Sequence, residues 1–221
     1  MKGVVERIME RDKGLSTIPY GVGNYHEFLQ SDRKNSDGSN PSGIAIEEGM
    51  LLYSLIRCFR PEHVLETGTN LGISARFIGL ALEDNHKGEL VTIEHDGTVA
   101  KLAWEKLQHY ARIRLLCGKV EDFDSKDTMF DFMWLDTELA TRYAELERFY
   151  ECATPGCVIC VHDLGRLDMP EFGGVPEKMR SLLHMGRLRV IPILTEHGLT
   201  IFQKYDPNDD ATKYIEGCRH D

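Results

Sequence analysis

The sequence predicts an α/β fold in which a mostly parallel sheet carries helices on both faces and is finished by an antiparallel hairpin. Three observations carry this. Between residues 44 and 185, short apolar runs of strand length alternate with stretches of helical period, the pattern of a parallel sheet with crossover helices. Around Val64–Ser74 an apolar run ends in an acid, breaks at Gly68 and re-enters a helical pattern at Ile73, Phe77 and Leu80, which reads as strand, tight turn and helix. Near the end, Leu188–Leu194 and Leu199–Lys204 are joined only by Thr195-Glu196-His197-Gly198, too short for a crossover, so the two strands must be antiparallel.

In chain order, Val4, Val5, Ile8 and Met9 predict a short amphipathic helix, followed by a stretch from Gly14 to Gly23 rich in turn formers. Ser31–Gly43 has almost no apolar content and must be a loop, either a disordered connector or a flap over a site. A helix runs from Ile44 to Phe59 with Leu52, Leu55, Ile56 and Phe59 on one face, and Pro61 lies just beyond its end. The spacing then predicts strand 63–66, helix 72–84, strand 90–94, helix 98–110, strand 113–117, strand 130–135, helix 139–152, strand 157–161 and helix 176–185. Trp104, Tyr110 and Trp134 fall on apolar faces and are expected in the core, as are Leu139, Tyr143, Leu146 and Tyr150 along one helical stripe. The sequence has no internal repeat or low-complexity tract.

Composition narrows the function classes. A chain of 221 residues with 42% hydrophobic content suits one domain with a sizeable core. A net charge of -10 argues against a general nucleic-acid or anionic-membrane surface and favours a small-molecule partner. The N-terminal Met1–Arg7 mixes charge into its apolar residues and builds no signal-peptide core, and no apolar run approaches a membrane span, so a cytoplasmic protein is expected. The six cysteines, at 58, 117, 152, 157, 160 and 218, lie mostly in predicted strands and helices and are expected as buried, reduced thiols. Cys157 and Cys160 have C-x-x-C spacing, but residues three apart on a strand point to opposite faces and cannot converge on a metal. A homodimer stays open.

The glycine turn at 66–74 bounds the ligand. Gly68 supplies the backbone angles of the reversal, and Gly72 would let the helix start approach a ligand without a Cβ in the way, where free helical N–H groups can meet polar atoms. A dinucleotide fingerprint needs a second glycine where Asn70 stands, so NAD and FAD are disfavoured. The pattern Glu66-x-Gly68-x-x-x-Gly72-x-Ser74 resembles the first motif of class I S-adenosylmethionine-dependent methyltransferases, whose loop wraps the methionine part of the cofactor. The form is most similar to small-molecule O-methyltransferases, including the catechol and caffeoyl-CoA type and the group of macrocin O-methyltransferase and the cephalosporin hydroxylases. The resemblance covers residues 44–205 and implies a Rossmann-like sheet there, with 1–43 as N-terminal helix and cap and 206–221 as a tail. It implies cofactor contacts from Glu66, Gly68, Thr69, Gly72 and Ser74.

Ligands of open parallel sheets bind beyond the carboxyl ends of the strands, so the residues after each strand are the informative ones. After the second strand stands Glu94, followed by His95. A carboxylate there can accept both hydroxyl protons of a ribose, and the resemblance implies that role; the plain alternative is a solvated acid. After the third strand, Gly118, Val120 and Glu121 match the turn that holds the adenine in the resembled enzymes, or form an ordinary glycine turn. The fourth strand delivers Asp136 at its tip, near the methyl donor in the resembled family and often a metal ligand there. The lysine frequent three positions later in that family is Leu139 here, a departure that puts lysine-assisted deprotonation in doubt.

After the fifth strand come His162 and Asp163. With Asp136 they would bring two carboxylates and an imidazole together. Three readings stand side by side: a site for magnesium or another divalent metal, a His162 general base oriented by a carboxylate, or a histidine merely packed at a strand end. In the loop 165–174, Arg166 and Phe172 are candidate substrate contacts or mere connectors. The expected function is methyl transfer from S-adenosylmethionine to an oxygen of a small molecule, with a divalent metal or a base activating that oxygen at Asp136, His162 and Asp163. The alternatives are other chemistry on the same fold, or a non-catalytic cofactor-binding module.

Overall fold

The computed structural model describes residues 3–12, 44–125, 127–138, 140–164, 177–193 and 198–206. The expected flap 31–43, the loop residues Arg166 and Phe172, Leu139, Cys218 and the tail 207–221 lie outside the described residues. The chain divides into two units, Met1–Asp124 and Ser125–Asp221.

In the first unit, α1 (Val4–Asp12) and α2 (Ile46–Phe59) precede β1 (His63–Thr67), α3 (Ile73–Asn85), β2 (Glu89–Glu94), α4 (Gly97–Leu107) and β3 (Ile113–Cys117). β2 lies between β1 and β3, and both pairings are parallel, with Glu66 opposite Thr92 and Glu94 opposite Cys117. The parallel pairing follows from the sequence, because each strand is followed by a helix that must return the chain to the same edge. Val64, Leu65, Leu90, Phe77, Ile78 and Leu80 are wholly buried between strands and helices. α2 begins with a capping box, in which Glu48 accepts the Ala45 N–H at 3.0 Å. The amphipathic α1 docks on α3: Ile8 is buried, Arg7 makes two 2.6 Å hydrogen bonds to Asp84, and Arg11 reaches Glu83.

In the second unit, β4 (Phe130–Leu135) and α5 (Arg142–Tyr150) lead into β5 (Ala153–His162), α6 (Glu177–His184), β6 (Leu188–Ile193) and β7 (Leu199–Lys204). β4 and β5 are parallel, whereas β7 runs antiparallel between β5 and β6. The short connection after β6 demanded that hairpin. β5 begins four residues earlier than the spacing predicts: Gly156, at φ 82°, absorbs a register shift between Phe130 and Phe132. The predicted helix 139–152 contracts to Arg142–Tyr150, with Tyr143, Leu146 and Tyr150 buried as expected. Among the described residues no helix is long and apolar enough to cross a membrane.

Three packing expectations are corrected. Trp104 is 44% exposed rather than in the core, because α4 buries Ala100, Ala103 and Leu107 and leaves Trp104 over Leu115 and Cys117 of β3, in a shallow surface hollow. Phe59 is 52% exposed at the last position of α2, where Arg60 turns left-handed and ends the helical stripe. Among the described cysteines, Cys58 and Cys117 are exposed and Cys152 half-buried; only Cys157 and Cys160 are buried, and burial raises both of their thiol pKa values. These five are free thiols.

Candidate active site

The loop from β1 to α3 turns through two left-handed residues and a left-handed helix cap: Gly68 at φ 76°, Asn70 at 47° and Gly72 at 75°. Gly68 therefore has the conformational role expected of it. Gly72 has a further reason to lack a side chain: a Cβ there would meet the Leu107 methyl carbons at 3.0–3.1 Å, so it serves the packing of α4 as well as the turn. α3 starts at Gly72 with no side-chain cap and no acid in its first turn, unlike α4, where Asp96 accepts the N–H groups of Thr98 and Val99. A helix start without such a cap has donors to offer a polar ligand.

Glu66 is fully buried and its charge is held by hydroxyls. Ser74 Oγ donates to one carboxylate oxygen and Thr92 Oγ1 to the other, each at 2.5 Å. Thr92 has one hydroxyl proton, so in its 2.6 Å contact with Thr69 Oγ1 the donor is Thr69. Ser74, Glu66, Thr92 and Thr69 thus form one buried network that fixes the loop. The side chains of Glu66, Ser74 and Thr69 serve this network.

Glu94 is 6% exposed and clasps the same loop from β2. Its Oε2 accepts the Asn70 N–H at 2.8 Å and its Oε1 the Asp96 N–H at 2.9 Å. Each oxygen keeps a second lone pair, directed by a carboxylate that backbone donors hold in place. His95 Nδ1 stands 3.2 Å from Oε1, with its ring 70% exposed. The Gly118 N–H donates to the Glu94 carbonyl at 2.8 Å, and a Cβ at Gly118 would meet nothing within 4 Å. Val120 is buried at the start of a 3-10 turn, Val120–Asp122, and Glu121 is exposed. The structure brings Glu66, Gly68, Thr69, Gly72, Ser74 and Glu94 into one linked set, with Gly118 joined to it through the backbone.

In the second unit Asp136, His162 and Asp163 converge, with ligand-type atoms within 4.8 Å of one another. His162 Nδ1 faces Asp136 Oδ1 at 3.1 Å and lies 3.6 Å from Asp163 Oδ2. A carboxylate can only accept here, so Nδ1 carries the proton and Nε2 is the basic nitrogen. The Trp134 ring flanks His162 at 5.4 Å between centroids. Asp163 stands at φ 59°, in the left-handed turn that ends β5.

The residue that sequence reasoning missed is Arg142. Its side chain is 4% exposed, and its guanidinium joins Asp136 Oδ1 at 2.8 Å and Asp163 Oδ2 at 3.0 Å. The remaining N–H groups go to backbone: Nε and Nη2 to the Thr137 carbonyl at 3.0 and 2.7 Å, and Nη1 to the His162 carbonyl. A signal was present in the sequence, for Arg142 lies three residues beyond Leu139, where the resembled family has its lysine.

Comparison with known proteins bears on the fold. Residues 65–164 match a family model described as a methyltransferase domain. No curated protein matches the sequence. Among solved structures, the O-methyltransferase TomG from Streptomyces achromogenes, crystallised with SAM, is 20% identical with a TM-score of 0.69, over 92% of this chain and 100% of that one. The O-methyltransferase from Bacillus cereus in complex with SAH is 16% identical with a TM-score of 0.64, over 92% and 91%. The SAH-bound methyltransferase PaMTH1 from Podospora anserina is 17% identical with a TM-score of 0.65, over 91% and 95%. The chain thus has the Rossmann-like class I methyltransferase fold that its glycine turn and terminal hairpin predict. The family match across β1 to the end of β5 bears out the expectation of a methyltransferase.

Proposed function

We propose that the chain transfers a methyl group from S-adenosylmethionine to an oxygen of a small-molecule acceptor. The observation that carries the cofactor is the left-handed loop at Gly68–Gly72, clasped by Glu94 and leading into a helix without a side-chain cap, on a methyltransferase fold. Bound S-adenosylmethionine supplies an electrophilic methyl group on a sulfonium.

The chain's own residues do the rest. The Gly68–Gly72 loop and the first turn of α3 offer backbone groups to the methionine part. Glu66, Thr69 and Ser74 keep that loop in shape through their buried network. Glu94 accepts the two ribose hydroxyls on the lone pairs its backbone donors leave open, with His95 beside it. The open turn at Gly118, with Val120 and Glu121, receives the adenine. His162 takes the proton of the acceptor hydroxyl at Nε2, and Asp136 holds the ring through Nδ1. Asp136 and Asp163 then face the imidazolium that forms, which lowers the cost of that charge. A small-molecule acceptor accords with the strongly acidic chain, and a cytoplasmic setting with its free thiols.

Calorimetric titration with S-adenosylmethionine and with S-adenosylhomocysteine tests this reading. Both should bind saturably, and Glu94→Gln should weaken both roughly 10- to 100-fold, the worth of losing charged acceptors for two hydroxyls. A panel of hydroxylated acceptors with radiolabelled methyl donor should then yield labelled product. Absence of binding overturns the cofactor assignment; binding with no label transferred to any acceptor overturns the enzyme.

A further inference from the structure

The cluster at the ends of β4 and β5 says more than that His162 is a base, although its functional meaning rests on the methyltransferase reading. Asp136, His162 and Asp163 have the types and spacing of a divalent-metal site, with carboxylates that would serve as anionic ligands at about 2.0–2.5 Å. In this chain those carboxylates already have a cation. The Arg142 guanidinium pairs with both, at 2.8 and 3.0 Å, on the Asp136 and Asp163 oxygens nearest to His162.

This guanidinium is not a movable counterion. It is buried and carries a permanent charge, it donates to Asp136 and to the Thr137 and His162 carbonyls, and it forms an ion pair with Asp163. Swinging it away would strip donors from two backbone carbonyls and unpair two carboxylates at once. A divalent ion on the same oxygens would stand beside a permanent cation at a few ångströms, with two carboxylates to offset three positive charges. The donor set therefore does not fit a divalent ion.

We propose that Arg142 takes the place of the divalent ion at this site, so that the chain activates its acceptor without a metal. Arg142 touches neither acceptor nor donor in this scheme. It is a positioning residue: it holds Asp136 and Asp163 on either side of the His162 ring and cancels part of their charge.

The test is metal binding, which needs no acceptor. The full-length protein, stripped with EDTA, is titrated with Mn2+ and followed by electron paramagnetic resonance, alongside Arg142→Gln, Arg142→Lys and Asp163→Asn. Wild type and Arg142→Lys should leave the Mn2+ spectrum free, because both keep a cation between the carboxylates. Arg142→Gln, which keeps much of the shape without the charge, should bind Mn2+ at least roughly tenfold more tightly than wild type, within the range seen when groups around metal ligands are changed. One Mn2+ bound to wild type and lost in Asp163→Asn overturns the proposal, even if Arg142→Gln fails to fold. So does a folded Arg142→Gln with no gain in affinity. Failure to bind S-adenosylmethionine would sink the functional reading while leaving this result for Arg142 unaffected.

Discussion

The two units of the chain each end strands in carboxylates, buried in the first and half-buried in the second, and they satisfy them in opposite ways. In the first, Glu66 and Glu94 accept from hydroxyls and backbone N–H groups, all of them uncharged. In the second, Asp136 and Asp163 share a guanidinium. Neutral donors orient a carboxylate and stabilise its charge without cancelling it. A guanidinium also offsets the charge, here on one oxygen of each carboxylate. Acidic side chains at the same kind of strand end are thus held by neutral donors in one unit and by a cation in the other.

The largest effect that bears on this contrast is on turnover. His162→Gln keeps a hydrogen-bonding side chain but removes the base, and should lower kcat roughly 10²- to 10⁴-fold while leaving S-adenosylmethionine affinity unchanged. An equal loss of cofactor affinity would show that the two units do not divide the work in this way.

Next comes stability. Arg142→Ala leaves two half-buried carboxylates and two backbone carbonyls without their buried partner and should cost up to about 3–5 kcal/mol in denaturant unfolding, the penalty for breaking a buried pair from one side. A cost below about 1 kcal/mol, the range of exposed pairs, would mean that the carboxylates find water instead.

The smallest effect comes from an arginine–carboxylate pair in the first unit. Arg7 holds Asp84 below its usual carboxylate range, chiefly by hydrogen bonding. Because the folded value is depressed, this stabilisation is fully present above the unfolded pKa of about 3.9 and is lost as pH falls through the folded value. The pair is partly exposed, so Arg7→Ala should cost only roughly 1 kcal/mol at pH 7, and that difference should shrink as pH falls below about 3.9. Melting curves of both proteins across that range would show it; a difference that persists in acid would mean that α1 is held mainly by Ile8.

Legibility differed between the fold and the site. Strand and helix order was readable because burial imposes its period on each element separately, as in β4, where Phe130, Phe132, Met133, Trp134 and Leu135 are all buried. Glu94 was readable because a strand end, a glycine loop and the length of one helix and strand place it. Trp104 was misread because helical period says which side a residue is on, but not whether another element covers that side. The partners of Glu66 were hidden too: Thr92 lies on another strand and becomes its neighbour only through the register of β1 and β2.

What the sequence determined by itself is therefore the alternation of elements, the left-handed turn at Gly68, the closing hairpin and the identity of the acids and the imidazole at the strand ends. All of these come from local preferences and from chain connectivity. Only the tertiary structure decided what those acids are joined to. Charge pairing depends on distances between side chains far apart on the backbone, and a guanidinium six residues beyond Asp136 and twenty before His162 carries no mark of its partners until β4, α5 and β5 have packed. That single placement puts a cation on the two carboxylates that flank His162.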